Sequence, residues 1–307
     1  MWLIQDTEVL SPLLWWMIAG ILGLVVGSFV NVVVHRLPLI LERQWQADAE
    51  WYLAERERDA TPVHERLADL PLEQPDSGAT AQRFDLAYPP SRCPSCGRRI
   101  KAWENIPVVS YLLLRARCPG CGTPISPMYP LVELGTGLAF VLAAIVYGQS
   151  AAFIGAAFFS AYLITGALID ARTTLLPDSI TLPLLWAGLA FNATGVGFTE
   201  LDNAVWGAIA GYLSLWLVFH AFKLATGKEG MGHGDFKLLA AIGAWLGWTA
   251  LPMVLLMSSL VGAVVGLAMI MAAGRDRAQP IPFGPYLAGG GLIMLYAGDL
   301  AWRWIGP

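Results

Sequence analysis

The segment Leu13–Val34, LLWWMIAGILGLVVGSFVNVVV, contains 22 residues and no charged side chain. An apolar helix of about 20 residues is long enough to cross the hydrocarbon core of a bilayer. The segment follows Asp6 and Glu8 rather than a basic region, and it is longer than the apolar part of a cleavable signal peptide. We therefore predict that Leu13–Val34 is the first transmembrane helix and that it is not removed.

The remainder of the chain is also apolar, apart from one polar segment. Of the 307 residues, 56% are hydrophobic and only 14% are charged, whereas soluble domains contain about 25% charged residues. Residues 35–128 hold 24 of the 42 charged residues (19 basic and 23 acidic). A single soluble core is excluded, and a net charge of −4 gives no excess of basic residues that would indicate nucleic-acid binding.

Further apolar runs bring the predicted number of spans to about eight. The run 238–273 has 36 residues, which is too long for one helix, and the sequence between Gly247 and Pro252 predicts a turn in its middle. The other runs lie at 131–148, 151–169, 179–197, 203–222 and 283–301.

The distribution of basic residues predicts the orientation, because Lys and Arg in short loops resist transfer across the membrane. With the N-terminus outside, 18 of the 19 Lys and Arg residues lie on the cytoplasmic side. The cytoplasmic segments are then 35–130, 170–178, 223–237 and 274–282.

The polar insertion contains all four cysteines of the chain, Cys93, Cys96, Cys118 and Cys121. They form two Cys-x-x-Cys pairs, each followed by a glycine, and two such pairs can complete a tetrahedral thiolate site of the zinc-ribbon kind. Four protein ligands leave no open position, so the predicted zinc is structural. The alternative, disulfides or redox pairs, is disfavoured in the reducing cytoplasm predicted for this segment.

These observations divide the chain into three parts. We expect residues 1–34 to contain the first transmembrane span, residues 35–129 to form a cytoplasmic domain with the four-cysteine zinc site, and residues 130–307 to form the main membrane domain. The predicted fold class is an all-α polytopic membrane protein of about eight transmembrane helices with a cytoplasmic zinc-ribbon-like insertion.

The first half of the insertion gives no chemical signal. Residues 42–92 carry 17 charges, which is typical of a solvated face or a linker. We predict a charged amphipathic helix over 42–58 and a loop beyond Pro71, and we assign no chemistry to this half.

Acidic residues in or beside a span are costly and are therefore candidate functional residues. Asp170 ends one apolar run and Asp235 precedes another, so both are predicted at the cytoplasmic ends of helices. Two facing carboxylates share a proton: the charged one can take a proton from water while the neutral one donates to a carbonyl oxygen. Gly232 and Gly234 would let backbone or substrate approach closely. Glu133 lies in the first turn of the predicted second span, where the helix dipole favours an acid.

From spacing alone, an aspartic peptidase and an ion or proton pathway in a transporter are equally good interpretations of this pair. Transporters usually place their acids near the midplane and within discontinuous helices. Asp170 and Asp235 are predicted at a membrane edge beside a cytoplasmic domain, which favours a hydrolase.

Several motifs together carry a resemblance to a known family. They are the segment Gly27–Pro38 in the first span, the two Cys-x-x-Cys pairs, Pro-Leu-Val-Glu at 130–133, the segment from Asp170 to Asp178, and Gly-His-Gly-Asp at 232–235. The combination resembles the prepilin peptidases, also called type IV leader peptidases, over nearly the whole chain. In that family the 170–178 segment corresponds to the first catalytic motif, and 232–235 to the Gly-x-Gly-Asp motif.

The resemblance implies a bifunctional enzyme of the bacterial inner membrane. Its peptidase activity would remove the short basic leader from type IV prepilins and type II secretion pseudopilins, after a Gly and at the cytoplasmic face. Its methyltransferase activity would N-methylate the new N-terminal residue, usually Phe, with S-adenosylmethionine as the methyl donor. No Gly-rich strand-turn-helix fingerprint for that donor is present, so its binding residues are not identified.

Residue by residue, the resemblance implies that Asp170 and Asp235 are the catalytic aspartates. Glu133, Gly232 and Gly234 also match family segments and are candidate supporting residues. Asp178 belongs to the first motif and is interpreted as a helix cap or support. Lys237 is interpreted either as an anchor on the positive cytoplasmic side or as a residue that tunes Asp235.

Two alternative functions remain open at this point. One is an intramembrane protease of the Gly-x-Gly-Asp type that acts on other membrane proteins. The other is an ion-coupled transporter or a zinc-organised scaffold, in which the acids would be ion ligands or anchors.

Overall fold

The computed structural model describes residues 9–60, 84–228, 230–273 and 282–305. Apart from two isolated β-bridges, the regular secondary structure of these residues is helical, which confirms the all-α class. We number the α-helices α1 Pro12–Ala60, α2 Val109–Leu113, α3 Met128–Tyr147, α4 Ala151–Thr173, α5 Asp178–Ala193, α6 Leu201–Thr226, α7 His233–Leu246, α8 Leu251–Ala273 and α9 Gly284–Ile305.

Five stretches of helix in the described chain are long and apolar enough to cross a membrane. They are Pro12–Arg56, Met128–Tyr147, Ala151–Thr173, Leu201–Thr226 and Trp248–Met269. The predicted count of about eight spans is not confirmed. Helix α7 has only 14 residues, or about 21 Å of length, and ten of its residues are buried, so neighbouring helices cover most of it.

The first helix is longer than its apolar part. The predicted span Leu13–Val34 lies inside α1, which continues without a break to Ala60 and has 49 residues. The helix predicted over 42–58 is therefore a continuation of the first span. The loop predicted beyond Pro71 begins in residues 61–83, which are outside the described chain.

The long apolar run 238–273 divides where the sequence predicts a turn. Helix α7 ends at Leu246, and Gly247 has a φ of +83°, a conformation that glycine adopts without a steric cost. A single 3₁₀ turn, Trp248–Ala250, then leads into α8.

A buried tryptophan ties α5 to α7. Trp245 is 2% exposed, and its ring stacks on Phe191 at 5.4 Å between ring centroids. Its indole N–H donates to the carbonyl of Leu184 at 2.8 Å. The side-chain amide of Asn192 donates to the carbonyl of Ala244 at 2.8 Å. These contacts fix the end of α7 that lies far from Asp235.

Glycines allow α6 and α7 to approach backbone to backbone. A Cβ atom built on Gly243 would collide with the carbonyl oxygen of Gly207, and a Cβ on Gly211 would lie 2.6 Å from the carbonyl oxygen of Leu239. Even the smallest side chain at these positions would separate the two helices.

We predict that Gly243→Ala lowers stability by about 1–3 kcal/mol, because overpacking a closed interface forces backbone shifts. Gly135→Ala is the matched control, since a Cβ at Gly135 meets no atom within 4 Å. It should be neutral or stabilising by up to about 1 kcal/mol, the difference in helix propensity between Gly and Ala. Thermal unfolding in detergent measures both. Equal midpoints for the two variants would contradict the close approach of α6 and α7.

Candidate active site and metal centre

Asp170 lies near the C-terminal end of α4 and is 5% exposed. Its Oδ2 accepts a hydrogen bond from the backbone N–H of Gly284, the first residue of α9, at 2.9 Å. A Cβ atom on Gly284 would lie 2.7 Å from the same oxygen, so the close approach requires glycine. The positive end of the α9 dipole therefore faces the Asp170 carboxylate.

Asp235 lies in the first turn of α7 and is 6% exposed. The backbone N–H of Gly232 donates to its carboxylate, while the N–H of Asp235 donates to the Gly232 carbonyl at 3.2 Å. Gly232 is the N-cap of α7. The Asp235 carboxylate therefore also lies at the positive end of a helix dipole.

The structure brings these two carboxylates into one site. Asp170 exerts a repulsive electrostatic effect on Asp235, although the two residues come from different helices. Leu176 lies between the start of α7 and the start of α9. Its Cβ would be 2.5 Å from a Cβ built on Gly234, and its Cδ1 would be 3.0 Å from a Cβ built on Gly284. No ion pair to either carboxylate is found among the described residues.

Asp178 and Lys237 form an ion pair beside this site rather than within it. The Lys237 ammonium lies 2.5 Å from Asp178 Oδ1, and the Asp178 side chain is 57% exposed. Asp178 is the first residue of α5, so the pair links the starts of α5 and α7. The charge of Lys237 is thus paired with Asp178.

Glu133 is buried in α3 but does not join the aspartates. Its Oε2 accepts the backbone N–H of Val108 at 2.8 Å, and its carboxylate also accepts a hydrogen bond from Ser28. Val108 has a φ of +59°, which is a strained conformation for a β-branched residue. Glu133 therefore holds a strained turn of the insertion against α1 and α3.

The first-span motif Gly27–Pro38 fastens the insertion in the same region. The Asn31 side-chain amide donates to the Tyr129 carbonyl at 3.0 Å. The Arg36 guanidinium donates to the carbonyls of Leu86 and Pro89 at 3.3 and 2.7 Å. These polar residues of the motif thus form hydrogen bonds with chain segments that lie about 50 to 100 positions later in the sequence.

The four cysteines form one cluster, with their sulfur atoms within 4.8 Å of one another and none in a disulfide. The Sγ atoms of Cys93 and Cys121 are 3.8 Å apart. The glycine that follows each Cys-x-x-Cys pair donates a hydrogen bond that closes the turn. The N–H of Gly97 donates to the Cys93 carbonyl at 2.9 Å, and the N–H of Gly122 donates to the Cys118 carbonyl at 2.8 Å. The cluster is therefore a candidate metal centre.

The environment of the cluster favours thiolates at two positions. Backbone N–H groups of Cys96 and Ser95 lower the pKa of the Cys93 thiol. The hydroxyl and the backbone N–H of Thr123 lower the pKa of Cys121 to about 6. Thiolate is the form that binds metal.

An ion pair between the half-buried Arg98 and the buried Glu104 lies beside the first Cys-x-x-Cys pair. The Arg98 guanidinium makes two hydrogen bonds to the Glu104 carboxylate, at 2.7 and 3.1 Å, and the N–H of Lys101 donates to the same group at 2.9 Å. The hydrogen bonds from Arg98 and Lys101 hold the pKa of Glu104 below its usual value. Sequence reasoning missed this pair, because a charge-rich segment does not indicate which charges become buried.

Sequence reasoning also missed Gly284. It contributes a backbone N–H, which every residue except proline carries, so its residue type gives no functional signal. The available signal was positional: Gly284-Pro285 begins an apolar run, and proline is common in the first turn of a helix.

We predict that Glu133→Leu loosens the attachment of the insertion, because Val108 and Ser28 lose their acceptor at a cost of about 1–3 kcal/mol. Limited proteolysis in detergent should then cut the region 101–127 faster than in the wild type. Adding Val108→Gly should restore part of the protection, since glycine adopts a positive φ freely.

Leu134→Ala is the control, because Leu134 neighbours Glu133 and is 49% exposed. It should leave the proteolysis pattern unchanged. A wild-type pattern for Glu133→Leu would contradict the fastening role.

Two models of known protein families match the chain. The model of the bacterial peptidase A24 N-terminal domain matches residues 21–147, and that of the type IV leader peptidase family matches residues 157–267. No solved structure matches the chain.

Several curated relatives are similar over nearly their whole length, and each of the three that follow is named prepilin leader peptidase/N-methyltransferase. The protein of Aeromonas hydrophila is 48% identical over 95% of this chain and 94% of its own length. That of Neisseria gonorrhoeae is 48% identical over 97% and 96%. That of Pseudomonas putida is 49% identical over 92% and 90%.

Proposed function

The chain belongs to the type IV leader peptidase family, and on that premise we propose that it is a bifunctional membrane enzyme. As an aspartic endopeptidase it removes the basic leader from type IV prepilins and type II secretion pseudopilins. As a methyltransferase it then N-methylates the new N-terminal residue. The observation that carries the peptidase activity is the pair of buried carboxylates, Asp170 and Asp235, which two separate helices hold in one site.

Asp170 and Asp235 are proposed as the catalytic residues. One carboxylate, in its charged form, takes a proton from water, and that water attacks the carbonyl carbon of the scissile peptide. The other carboxyl, in its neutral form, donates its proton to the carbonyl oxygen. When the tetrahedral intermediate collapses, the carbon–nitrogen bond breaks and the amine leaves with a proton from the dyad. Because the two groups titrate as a pair, neither is assigned as the base.

The polar surroundings of the dyad suit this chemistry. Backbone N–H groups from Gly284 and Gly232 orient the two carboxylates. No cation pairs with either group among the described residues, so a proton can be held between them. The ion pair of Asp178 with Lys237 fixes α5 to α7 and is proposed as a positioning contact.

The protein is a multi-pass bacterial membrane protein, as its membrane-length helices and bacterial relatives indicate. We propose that its N-terminus lies outside and that residues 35–129 are cytoplasmic, between a first span within 1–34 and a membrane domain over 130–307. The concentration of basic residues on one side supports this orientation. In this orientation the dyad lies at the cytoplasmic side, where a basic leader is retained.

The metal centre is proposed to hold structural zinc on Cys93, Cys96, Cys118 and Cys121. Zn–S bonds of about 2.3 Å in a tetrahedron separate the sulfur atoms by about 3.8 Å. This agrees with the 3.8 Å between Cys93 and Cys121. Four thiolates fill the coordination sphere, so the ion would stabilise the insertion rather than take part in peptide hydrolysis.

The methyl donor is proposed to be S-adenosylmethionine, on the strength of the relatives' shared name. It supplies an electrophilic methyl group, which the amine exposed by leader removal would accept. We assign no residue of the chain to its binding. The transporter and the general intramembrane protease, both compatible with the spacing of the acids, are not favoured by the family relationship.

We predict that Asp170→Asn and Asp235→Asn each lower leader cleavage by at least about 10²–10⁴-fold, because each removes one member of the proton-transferring pair. Purified enzyme and a prepilin suffice for the assay, with cleavage and methyl transfer measured separately. Methylation of a pre-cleaved pilin should survive both changes.

Asp202→Asn is the matched control, since Asp202 is an exposed aspartate in the first turn of α6 and lies outside the dyad, and it should retain the cleavage activity. Normal cleavage by either Asp170→Asn or Asp235→Asn would refute the dyad. Loss of methylation along with cleavage would show that the two active sites overlap.

We predict about one zinc ion per chain in reduced protein, with Cys93→Ser and Cys118→Ser each lowering the zinc content sharply. Ser95 lies between two of the ligands in the sequence, and Ser95→Ala should leave the zinc content unchanged. Elemental analysis of the purified protein measures this. Reduced wild-type protein that contains no metal would contradict the proposed centre.

A further inference from the structure

A groove of about 480 Å³ lies between α6, α8 and the start of α9. Its lining on α8 extends from Leu255 to Ala263, a distance of about 12 Å along the helix axis. The groove is therefore elongated along a membrane helix. Its lining is mainly apolar, with two serines, Ser214 and Ser259, among the lining residues.

One end of the groove is lined by two residues that are the sequence neighbours of the dyad's glycine partners. Met231 and Phe283 both line it. Met231 immediately precedes Gly232, which donates to Asp235, and Phe283 immediately precedes Gly284, which donates to Asp170. An occupant at this end would contact the residues that directly precede Gly232 and Gly284 in the sequence.

The face that α8 turns to the groove differs from the rest of that helix. Apart from Leu255, the α8 residues that line the groove are the small Ser259, Gly262 and Ala263, whereas Leu260 and Val264, which are exposed outside the groove, are large and aliphatic. Small residues with serine are typical of contacts between transmembrane helices, because they let backbones approach closely. Leucine and valine are typical of surfaces that contact lipid.

We propose that this groove binds the apolar helix of the prepilin that follows the scissile bond. The inference rests on the proposed function, in which the substrate has a basic leader on the cytoplasmic side and an apolar helix in the bilayer. With that helix in the groove, the peptide bond at its cytoplasmic end lies at Asp170 and Asp235. A lipid acyl chain is the competing occupant, but it requires neither a small-residue face nor a connection to the dyad.

Substitution of neighbouring residues on α8 tests the proposal. Ala263→Phe fills the groove, and Val264→Phe adds the same ring at a 61% exposed position outside it. Two substrates are compared: a full-length prepilin, and a short peptide that contains the leader and scissile bond but lacks the apolar helix. Ala263→Phe should raise KM for the prepilin by about tenfold or more and leave cleavage of the peptide unchanged, while Val264→Phe should change neither.

Equal KM values of the two variants for full-length prepilin would overturn the groove assignment. So would an equal loss of activity on both substrates with Ala263→Phe, which indicates damage to the catalytic site. Failure of the wild type to cleave any prepilin would instead contradict the proposed function, so the two failures are distinguishable.

Photo-crosslinking identifies the occupant directly and does not depend on cleavage of the short peptide. A photoreactive residue in place of Ala263 should form a crosslink to the apolar helix of an added prepilin in lipid vesicles. The same residue in place of Val264 should crosslink to lipid. Crosslinks to lipid alone from position 263 would refute the proposal.

Discussion

The site depends on holding two carboxylates, Asp170 and Asp235, close together in a buried place although like charges repel there strongly. Each carboxylate is compensated by a backbone N–H at the start of a helix, Gly284 for the first and Gly232 for the second. The starts of α9 and α7 must therefore meet the end of α4. The central position of the short helix α7, buried among its neighbours, follows from that requirement.

Much of this arrangement is predictable from the sequence, and the parts that are not have physical reasons. Asp170 and Asp235 are predictable because uncharged runs fix their depth, and the cysteine pairs because their spacing fits one metal ion. The ion-pair partner of Lys237 is not predictable from the sequence, because a charged residue does not identify the opposite charge that it meets on another helix. The number of spans is also not predictable, since the 14 residues of α7 are covered by neighbouring helices and their length need not match the bilayer thickness.

Polar contacts join the described part of the insertion to the membrane helices. Glu133 holds the strained turn at Val108, and Arg36 binds carbonyl groups of the segment before the first cysteine. Asn31 adds a contact to the start of α3. Motif residues in the first span thus hold the described part of the insertion against the membrane helices, and the proposed zinc would keep the insertion itself folded.

The proposed hydrolysis requires that Asp170 and Asp235 act together on one peptide bond. The most direct test is a structure of the enzyme bound to a prepilin segment whose scissile peptide is replaced by a hydroxyethylene group, which mimics the tetrahedral intermediate. If the two aspartates act together, the hydroxyl will lie within hydrogen-bond distance of both carboxylates. A hydroxyl bound away from either aspartate would contradict it.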